Sequence, residues 1–185
     1  MAAEKPILLH SCCAPCTVYP FERLADQGYS ATCLFYNPNI HPYTEFVRRL
    51  DAMKVFGFET GAEVLLDDRY GLDEFLAAVF GREPRCPICY EMRLRETARV
   101  CGERKLERFT TTLLYSKYQR HDDIVKLGGR LADEYGVEFV YFDFRVGWKE
   151  GILESKRMGL YRQQYCGCIF SEQERYLQKK KRDEV

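Results

Sequence analysis

Short apolar runs alternate along this chain with longer stretches in which apolar residues recur every three or four positions. Runs rich in β-branched and aromatic residues are typical of buried strands, and the three-to-four periodicity is typical of amphipathic helices. Strands are predicted on this basis at residues 7–9, 31–36, 62–66, 108–114 and 137–142. Helices are predicted at residues 19–27, 43–53, 72–79, 87–101 and 124–135.

The regular alternation of strands and helices predicts the fold class. It is typical of a doubly wound α/β domain, in which a mostly parallel sheet is covered by helices on both faces, as in nucleotide-binding domains of the PP-loop type. The 185 residues are enough for a substantial core, and we expect one domain over residues 1–185. From about residue 151 the pattern is helical, so residues 151–185 are predicted to form a C-terminal helical extension, with a solvated basic run at 179–182.

Polar residues and thiols follow each of the predicted strands. The segments concerned are 10–16, 37–41, 67–69, 116–120 and 143–145. In folds of this class, ligands bind beyond the carboxyl ends of the strands. We therefore expect a functional site at this edge of the sheet, and the sequence H-S-C-C-A-P-C at 10–16 is its most distinctive part.

Composition and charge leave the class of partner open. Lysine plus arginine and aspartate plus glutamate number 28 each, so the net charge does not indicate a nucleic-acid partner, although a neutral total is compatible with a local basic patch. The first residues lack a signal-peptide pattern, and no apolar run approaches the roughly 20 residues of a membrane span, so we expect a cytoplasmic protein. Cytoplasmic thiols stay reduced, and clusters of them are more often metal ligands or catalysts than disulfides.

The nine cysteines fall into two populations. Cys33 lies inside a predicted strand and Cys101 on an apolar helix face, and we expect both to be small buried hydrophobic residues. The other seven form three short clusters: Cys12, Cys13 and Cys16; Cys86 and Cys89; and Cys166 and Cys168. The C-x-x-C spacing lets two thiolates reach one metal centre, and a helix amino terminus favours the thiolate form. We therefore predict that all seven bind metal.

The number of thiols bears on the kind of metal. Seven clustered cysteines exceed the needs of one structural zinc ion, and the chain has only three histidines to share the work. Soft thiolate ligands in excess favour an iron–sulfur cluster and leave room for a second metal beside it. Two other classes stay open at this point: a thiol–disulfide or metal-trafficking protein without a cluster, and a structural zinc module that binds RNA.

A nucleotide-dependent tRNA-thiolating enzyme would also combine an α/β domain with clustered cysteines. Such an enzyme needs a glycine- or serine-rich phosphate loop after its first strand. That position is occupied here by residues 11–16, which contain no glycine. The sequence therefore argues against a bound ATP.

Six motifs occur in order across nearly the whole chain. They are H-S-C-C-A-P-C at 10–16, Y-N-P-N-I at 36–40, R-C-P-I-C-Y-E-M-R-L at 85–94, F-T-T-T-L at 109–113, Y-F-D-F-R at 141–145 and Y-R-Q-Q-Y-C-G-C at 161–168. Together they resemble the cobalamin-independent epoxyqueuosine reductases of the QueH type. One departure is the segment 146–148, where a lysine is expected directly after D-F-R; Lys149 is the candidate for that charge.

The resemblance implies an oxidoreductase that reduces epoxyqueuosine to queuosine in the wobble position of tRNA. It also implies a [4Fe–4S] cluster with an adjacent mononuclear iron, and an external electron donor. The expected cluster ligands are Cys12, Cys13, Cys86, Cys89, Cys166 and Cys168. Adjacent residues of an extended segment point to opposite sides, so we expect Cys12 and Cys13 to serve two different centres.

Residues other than cysteine are harder to assign. His10 either orients a ligand or satisfies a backbone carbonyl. Four residues near predicted strand ends are candidate proton donors, with capping and turn roles as the alternative: Tyr36, Asp67, Lys117 and Asp143.

Contact with tRNA requires cations for the phosphates and aromatic rings for an unstacked base. The candidate cations are Arg48, Arg49, Arg93, Arg95, Arg99, Lys117, Arg120, Arg145, Arg157 and Arg162. The candidate stacking residues are Tyr90, Tyr161 and Tyr165. For the cations, an ordinary solvated helix face is the alternative.

Overall fold

A five-stranded sheet, in which all neighbouring strands are parallel, forms the centre of the molecule. The computed structural model describes residues 5–183. The strands are β1 (Lys5–His10), β2 (Tyr29–Phe35), β3 (Val64–Leu66), β4 (Arg108–Thr111) and β5 (Glu138–Phe139). Their order across the sheet is β3-β2-β1-β4-β5.

Helices connect the strands and cover both faces of the sheet. They are α1 (Ala14–Asp26), α2 (Tyr43–Thr60), α3 (Leu72–Val79), α4 (Arg85–Glu103), α5 (His121–Tyr135), α6 (Trp148–Arg157) and α7 (Ile169–Asp183). Helix α1 packs against α2 and α6, while α4 packs against α5, so two helical layers enclose the sheet. None of the helices in this described region has the length and apolar character that crossing a bilayer would require. The side chains of the basic run at 179–182 lie outside the described residues.

The strand order confirms the predicted doubly wound α/β fold. Strand β1 lies in the middle and pairs with β2 over six positions and with β4 over three. The chain proceeds from β1 to β2 and β3 on one side, then crosses to β4 and β5 on the other. Such a reversal opens a crevice beyond the carboxyl ends of the two central strands, where ligands of this fold bind.

Most element boundaries differ from the prediction, and helix α2 continues to Thr60 instead of ending near residue 53. Helix α1 begins at Ala14, five residues before the predicted start, because Pro15 occupies its first turn, where proline is favoured. Strand β4 ends at Thr111, whose Oγ1 accepts a hydrogen bond from Leu113 N at 3.1 Å and starts a short 3₁₀ turn. Strand β5 pairs with β4 only at Glu138 and Phe139, which lie opposite Arg108 and Phe109.

Candidate functional site

The first cysteine cluster lies directly after β1, at the switch point of the sheet. The Sγ atoms of Cys12, Cys13 and Cys16 all lie within 4.8 Å of one another, and those of Cys12 and Cys13 are 3.9 Å apart. The expectation that the adjacent pair points in opposite directions is therefore wrong. The backbone bends at Cys12 instead of continuing the strand, and Cys12 N donates to Thr112 Oγ1 at 3.0 Å.

The three thiols of this first cluster alter one another's pKa values. Hydrogen bonds with Cys13 and Cys16 hold the pKa of Cys12 well below its ordinary value. Burial raises the pKa of Cys13, and the hydrogen bond to Cys12 raises that of Cys16. The cluster also lies at the amino terminus of α1, whose partial positive charge favours an anion. A cation bound by these thiols would draw off their protons.

The other four clustered cysteines form a second group. Cys86 and Cys89 lie in the first two turns of α4, as the C-x-x-C spacing predicts. Burial raises the pKa of Cys86, and the charges of Cys166 and Cys168 raise it further. The pKa of Cys89 rises to about 12, again mainly through burial and with contributions from the other three thiols. These four side chains therefore lie within range of electrostatic interaction with one another.

A small apolar cluster holds this second group in place. Cys89 packs with Phe75 and Val79 of α3, and Cys168 and Phe170 pack against them. The guanidinium of Arg85 lies over the ring of Phe170 at 4.1 Å from its centroid. The start of α4 is thereby tied to the start of α7, and the C-G-C segment is brought to the C-x-x-C segment.

A buried ion pair positions the C-G-C segment from the other side. Arg49, 1% exposed, pairs with Glu45 at 2.7 Å and donates to the carbonyl oxygens of Tyr165 and Cys166 at 3.1 and 2.8 Å. Gly167 has φ +143°, and a Cβ there would lie 3.2 Å from Arg49 Nη1. Only glycine lets the chain pass this closely in that conformation.

Arg93 lies between the two thiol groups. It is 2% exposed and makes no ion pair with a carboxylate in the part of the chain that the structure describes. Its Nη2 donates to Cys89 Sγ at 3.3 Å, and its Nε donates to Cys89 O at 3.1 Å. The charges of Cys89, Cys166 and Cys12 raise the pKa of Arg93 against the effect of burial. The natural counter-charge of this guanidinium is thiolate.

Two glutamines that the sequence analysis did not single out donate hydrogen bonds to the cysteines. Gln163 Nε2 lies 2.8 Å from Cys13 Sγ and 3.7 Å from Cys16 Sγ. Gln119 Nε2 lies 3.4 Å from Cys166 Sγ. The position of Gln163 within Y-R-Q-Q-Y-C-G-C was the available signal. N–H donors of this kind orient thiolate ligands and tune a bound metal centre.

A cavity of about 770 Å³ opens onto both thiol groups. Its walls include Cys12, Cys16, Arg93, Tyr115, Tyr118, Gln119, Trp148, Arg162, Gln163 and Cys166. The cavity is large enough for a nucleotide-sized ligand. The wall presents the sulfur atoms of three cysteines, the buried guanidinium of Arg93, and two side-chain amides. The cysteines are Cys12, Cys16 and Cys166, and the amides belong to Gln119 and Gln163.

None of the four candidate proton donors is among the residues that line this cavity. Tyr36 and Asp67 line a separate shallow pocket, where Asp67 pairs with Arg69. Asp143 pairs with Arg145 at 2.7 Å and accepts a hydrogen bond from its backbone N–H. Lys117 is exposed beside the cavity-lining residues Ser116 and Tyr118. Their catalytic role stays a prediction.

His10, Cys33 and Cys101 have structural roles. His10 is fully buried, with Nε2 at 3.2 Å from Tyr36 O and Nδ1 at 2.9 Å from Thr111 Oγ1, so it satisfies a backbone carbonyl beneath the first thiol cluster. Burial, followed by the charge of Arg93, lowers the pKa of His10 to about 4, and the ring is neutral. Cys33 and Cys101 are fully buried in the main core, as predicted.

Three of the predicted tRNA contacts need correction, and the others stay predictions. Arg49, Arg93 and Tyr90 are buried, since they belong to the framework of the site, and cannot present themselves to a phosphate or a base. Five of the other cations form ion pairs with nearby carboxylates: Arg95, Arg99, Arg120, Arg145 and Arg157. Arg48 lies over the ring of Tyr161. Lys117 and Arg162 have no such ion pair among the described residues.

The residues present fit a thiolate-bound metal centre. All nine cysteines are free thiols. Seven of them lie in two groups around one buried cation, and amide donors point at both groups. Only the first group brings three ligand atoms within 4.8 Å of one another among the described residues. Soft sulfur donors in this number suit iron or an iron–sulfur cluster better than a hard cation.

Comparison with known proteins gives a consistent result. The family model described as epoxyqueuosine reductase QueH matches residues 7–174. A protein of that name from Dehalococcoides mccartyi is 41% identical over 171 residues, which cover 92% of this chain and 94% of the relative. A second, from Thermotoga maritima, is 34% identical over 183 residues and 91% of each chain. A third, from Histophilus somni, is 34% identical over 177 residues, 89% of this chain and 71% of the relative.

Proposed function

The chain belongs to the QueH family of epoxyqueuosine reductases and is therefore an oxidoreductase, and from this we propose that it reduces epoxyqueuosine to queuosine in the wobble position of tRNA. The observation that carries the proposal is the arrangement of two thiol groups around the buried Arg93, at the wall of one large cavity. A base from a single-stranded loop can enter such a cavity, whereas a base inside a duplex cannot.

We infer that the seven thiols hold a [4Fe–4S] cluster and a neighbouring mononuclear iron. The proposed cluster ligands are drawn from Cys12, Cys13, Cys86, Cys89, Cys166 and Cys168, and Cys16 completes the metal-binding set. Support comes from the number of soft donors and from the buried positive charge, which a cluster held by thiolates would balance. When bound, this group would supply electrons and a Lewis-acid position for the epoxide oxygen.

The reaction sets clear demands on the protein. Both carbon–oxygen bonds of the epoxide break, a carbon–carbon double bond forms, and the oxygen leaves as water after taking up two protons and two electrons. The electrons come from an external donor. Gln163 and Gln119 hold the thiols of Cys13 and Cys166 in fixed orientations, which avoids reorganisation during the reaction.

Arg93 has a separate part in the proposed reaction. Its charge lies beside Cys89 and acts on Cys12, so it offsets negative charge in both thiol groups. The candidate proton donors are the four residues predicted from the sequence: Tyr36, Asp67, Lys117 and Asp143. We place the activity in the cytoplasm, where reduced thiols and tRNA are both present.

Anaerobic purification followed by an activity assay tests the proposal. We expect a brown protein with more than four iron atoms per chain and acid-labile sulfide. Incubation with epoxyqueuosine-containing tRNA and dithionite should convert the modified nucleoside to queuosine, detected by mass spectrometry after digestion. A fully loaded protein that yields no queuosine would refute the proposed reaction.

The same preparation separates the two rival classes. A colourless protein that contains zinc and binds RNA would indicate a structural module. Reversible disulfides without iron would indicate a thiol–disulfide or metal-trafficking protein. The Cys101→Ala variant is a matched control, since that thiol belongs to the main core and its loss should leave the iron content unchanged.

A further inference from the structure

Four aromatic rings form a row from helix α1 to the mouth of the thiol cavity. Tyr19 stacks on Tyr115 at 6.2 Å between centroids, Tyr115 lies 5.1 Å from Trp148, and Trp148 meets the edge of Tyr118 at 5.9 Å. Tyr115 is buried, whereas Tyr118 is 86% exposed. The inner end of the row is thus part of the core and the outer end faces solvent.

The indole of Trp148 is held in place by this row. Tyr115 OH donates to Trp148 O at 3.0 Å. A Cβ at Gly147 would lie 2.1 Å from the ring of Tyr19, and one at Gly151 would lie 2.4 Å from Tyr115 OH. The two glycines therefore let the rings pack directly against the backbone on either side of Trp148. A fixed aromatic surface of this kind binds a flat ligand with little loss of entropy.

Cations neighbour the outer two rings along the chain and occur in the cavity wall. Lys117 precedes Tyr118 and Lys149 follows Trp148, while Arg162 and Arg175 line the same cavity together with one carboxylate, that of Glu174. None of these four cations forms an ion pair within residues 5–177, the part whose side chains are described. Arg120 and Arg145, by contrast, are paired with Asp123 and Asp143.

We propose that Trp148 and Tyr118 form a stacking ledge for a nucleotide next to the modified base in the anticodon loop. The inference rests on the proposed function and adds which surface receives the loop. Tyr118 is exposed and Trp148 is partly buried against the core. Accessible aromatic surface interleaved with unpaired cations is the feature that binds single-stranded nucleic acid. The ledge and Cys12, Cys16 and Cys166 line one cavity, so a neighbour stacked on the ledge places the modified base toward the thiols.

The fluorescence of Trp148 provides a direct test, because it is the only tryptophan in the chain. The iron-loaded protein is titrated with a synthetic anticodon stem–loop RNA that carries an unmodified wobble nucleotide. We expect saturable quenching of the indole by this RNA, and none by a blunt RNA duplex of equal length. Binding of the stem–loop without quenching, or no binding at all, would overturn the ledge.

Variants extend the test to affinity and catalysis. By anisotropy of a labelled stem–loop, Trp148→Leu and Tyr118→Leu should each bind about tenfold more weakly or worse, and Trp148→Phe should recover most of the loss. Tyr118→Leu should raise KM for tRNA and leave kcat near its original value. Phe80→Leu, at a position 77% exposed directly after α3 and not in the cavity wall, is the control and should bind normally.

Two results distinguish a failure of the proposed ledge from a failure of the proposed reaction. A loaded protein that binds the loop through Trp148 but yields no queuosine refutes the reaction and leaves the ledge in place. Normal RNA binding by both leucine variants overturns the ledge whatever the activity. If those variants instead accept electrons slowly from a donor protein but normally from dithionite, the surface serves the donor, and the ledge is again overturned.

Discussion

Arg93 donates a hydrogen bond from Nη2 to the Sγ of Cys89 at 3.3 Å, in a position that is 2% exposed. Among the described residues no carboxylate forms an ion pair with this guanidinium. A buried charge without a counter-charge is costly. The balance is completed only when nearby thiols ionise, which metal binding brings about.

We expect Arg93→Met to act differently on the loaded and the metal-free protein. In the metal-free chain burial raises the pKa of Cys89 to about 12, so this neighbour is protonated and Arg93→Met removes a buried charge that is only partly balanced. The free energy of unfolding should therefore stay equal or rise. In the loaded protein it leaves thiolates without their cation, and the free energy of unfolding should fall by about 3–5 kcal/mol. Anaerobic denaturation with and without bound iron measures both effects.

Two further variants control this prediction. Arg95→Met, on the same helix, removes a partly exposed arginine that pairs with Glu91 and Glu134, and should change stability by at most about 1 kcal/mol in either state. Arg93→Lys keeps the charge and should retain most of the iron. Equal effects of Arg93→Met in both states would show that its partner is not the metal site.

Serine substitutions in the first cluster test whether Cys12 and Cys13 bind one centre. Their sulfurs are 3.9 Å apart and share the neighbourhood of Cys16, so Cys12→Ser and Cys13→Ser should lose the same iron. Iron and sulfide per chain, together with the visible absorption spectrum, provide the comparison. Different losses in the two variants would instead support ligation of two centres, which the sequence had led us to expect.

Gly167→Ala should displace the C-G-C segment. The residue has φ +143°, and its new Cβ would lie 3.1 Å from Asn39 Nδ2 and 3.2 Å from Arg49 Nη1. Strain of this kind costs about 1–3 kcal/mol, and iron should be lost with it. Gly129→Ala is the matched control, because this helical position has open space and should gain up to about 1 kcal/mol. Full iron content in Gly167→Ala would contradict the prediction.

Glu45→Gln should weaken the anchoring of the C-G-C segment by Arg49. Glu45 is the buried partner of Arg49 and also accepts a hydrogen bond from Tyr161 OH. Removing its charge should cost about 3–5 kcal/mol in unfolding experiments. Asp51→Asn, which breaks the exposed pair with Lys54 on the same helix, should cost at most about 1 kcal/mol. Similar losses in both variants would argue against a special role for the buried pair.

The sequence was sufficient for the fold class and for the position of the cysteines. Strand–helix alternation repeats over most of the chain, and a period of 2 or 3.6 is visible without knowledge of tertiary contacts. The C-x-x-C spacing in Cys86–Cys89 likewise predicts neighbouring thiols at a helix start, which the structure contains. Patterns of this kind can be read from the sequence because the contacts that they reflect lie within one helix or strand.

The framework around the thiols could not be predicted, because it depends on contacts between distant segments. Arg49 and Arg93 look like ordinary surface cations in the sequence, yet both are buried and bind backbone or sulfur. The mutual direction of Cys12 and Cys13 depends on a bend that Thr112 stabilises across the sheet. The aromatic row at Trp148 joins α1, the loop after β4 and α6, and no local period reveals such a contact.

The hydrogen bond from Gln163 to Cys13 joins residues 150 positions apart. Contacts of such long sequence separation form late, because the loop between them must close first. Until then the seven thiols belong to unconnected segments and are open to oxidation. Refolding of this chain should therefore succeed only under reductant, with iron supplied after the polypeptide has become compact, and oxygen should reduce the yield by pairing the wrong cysteines.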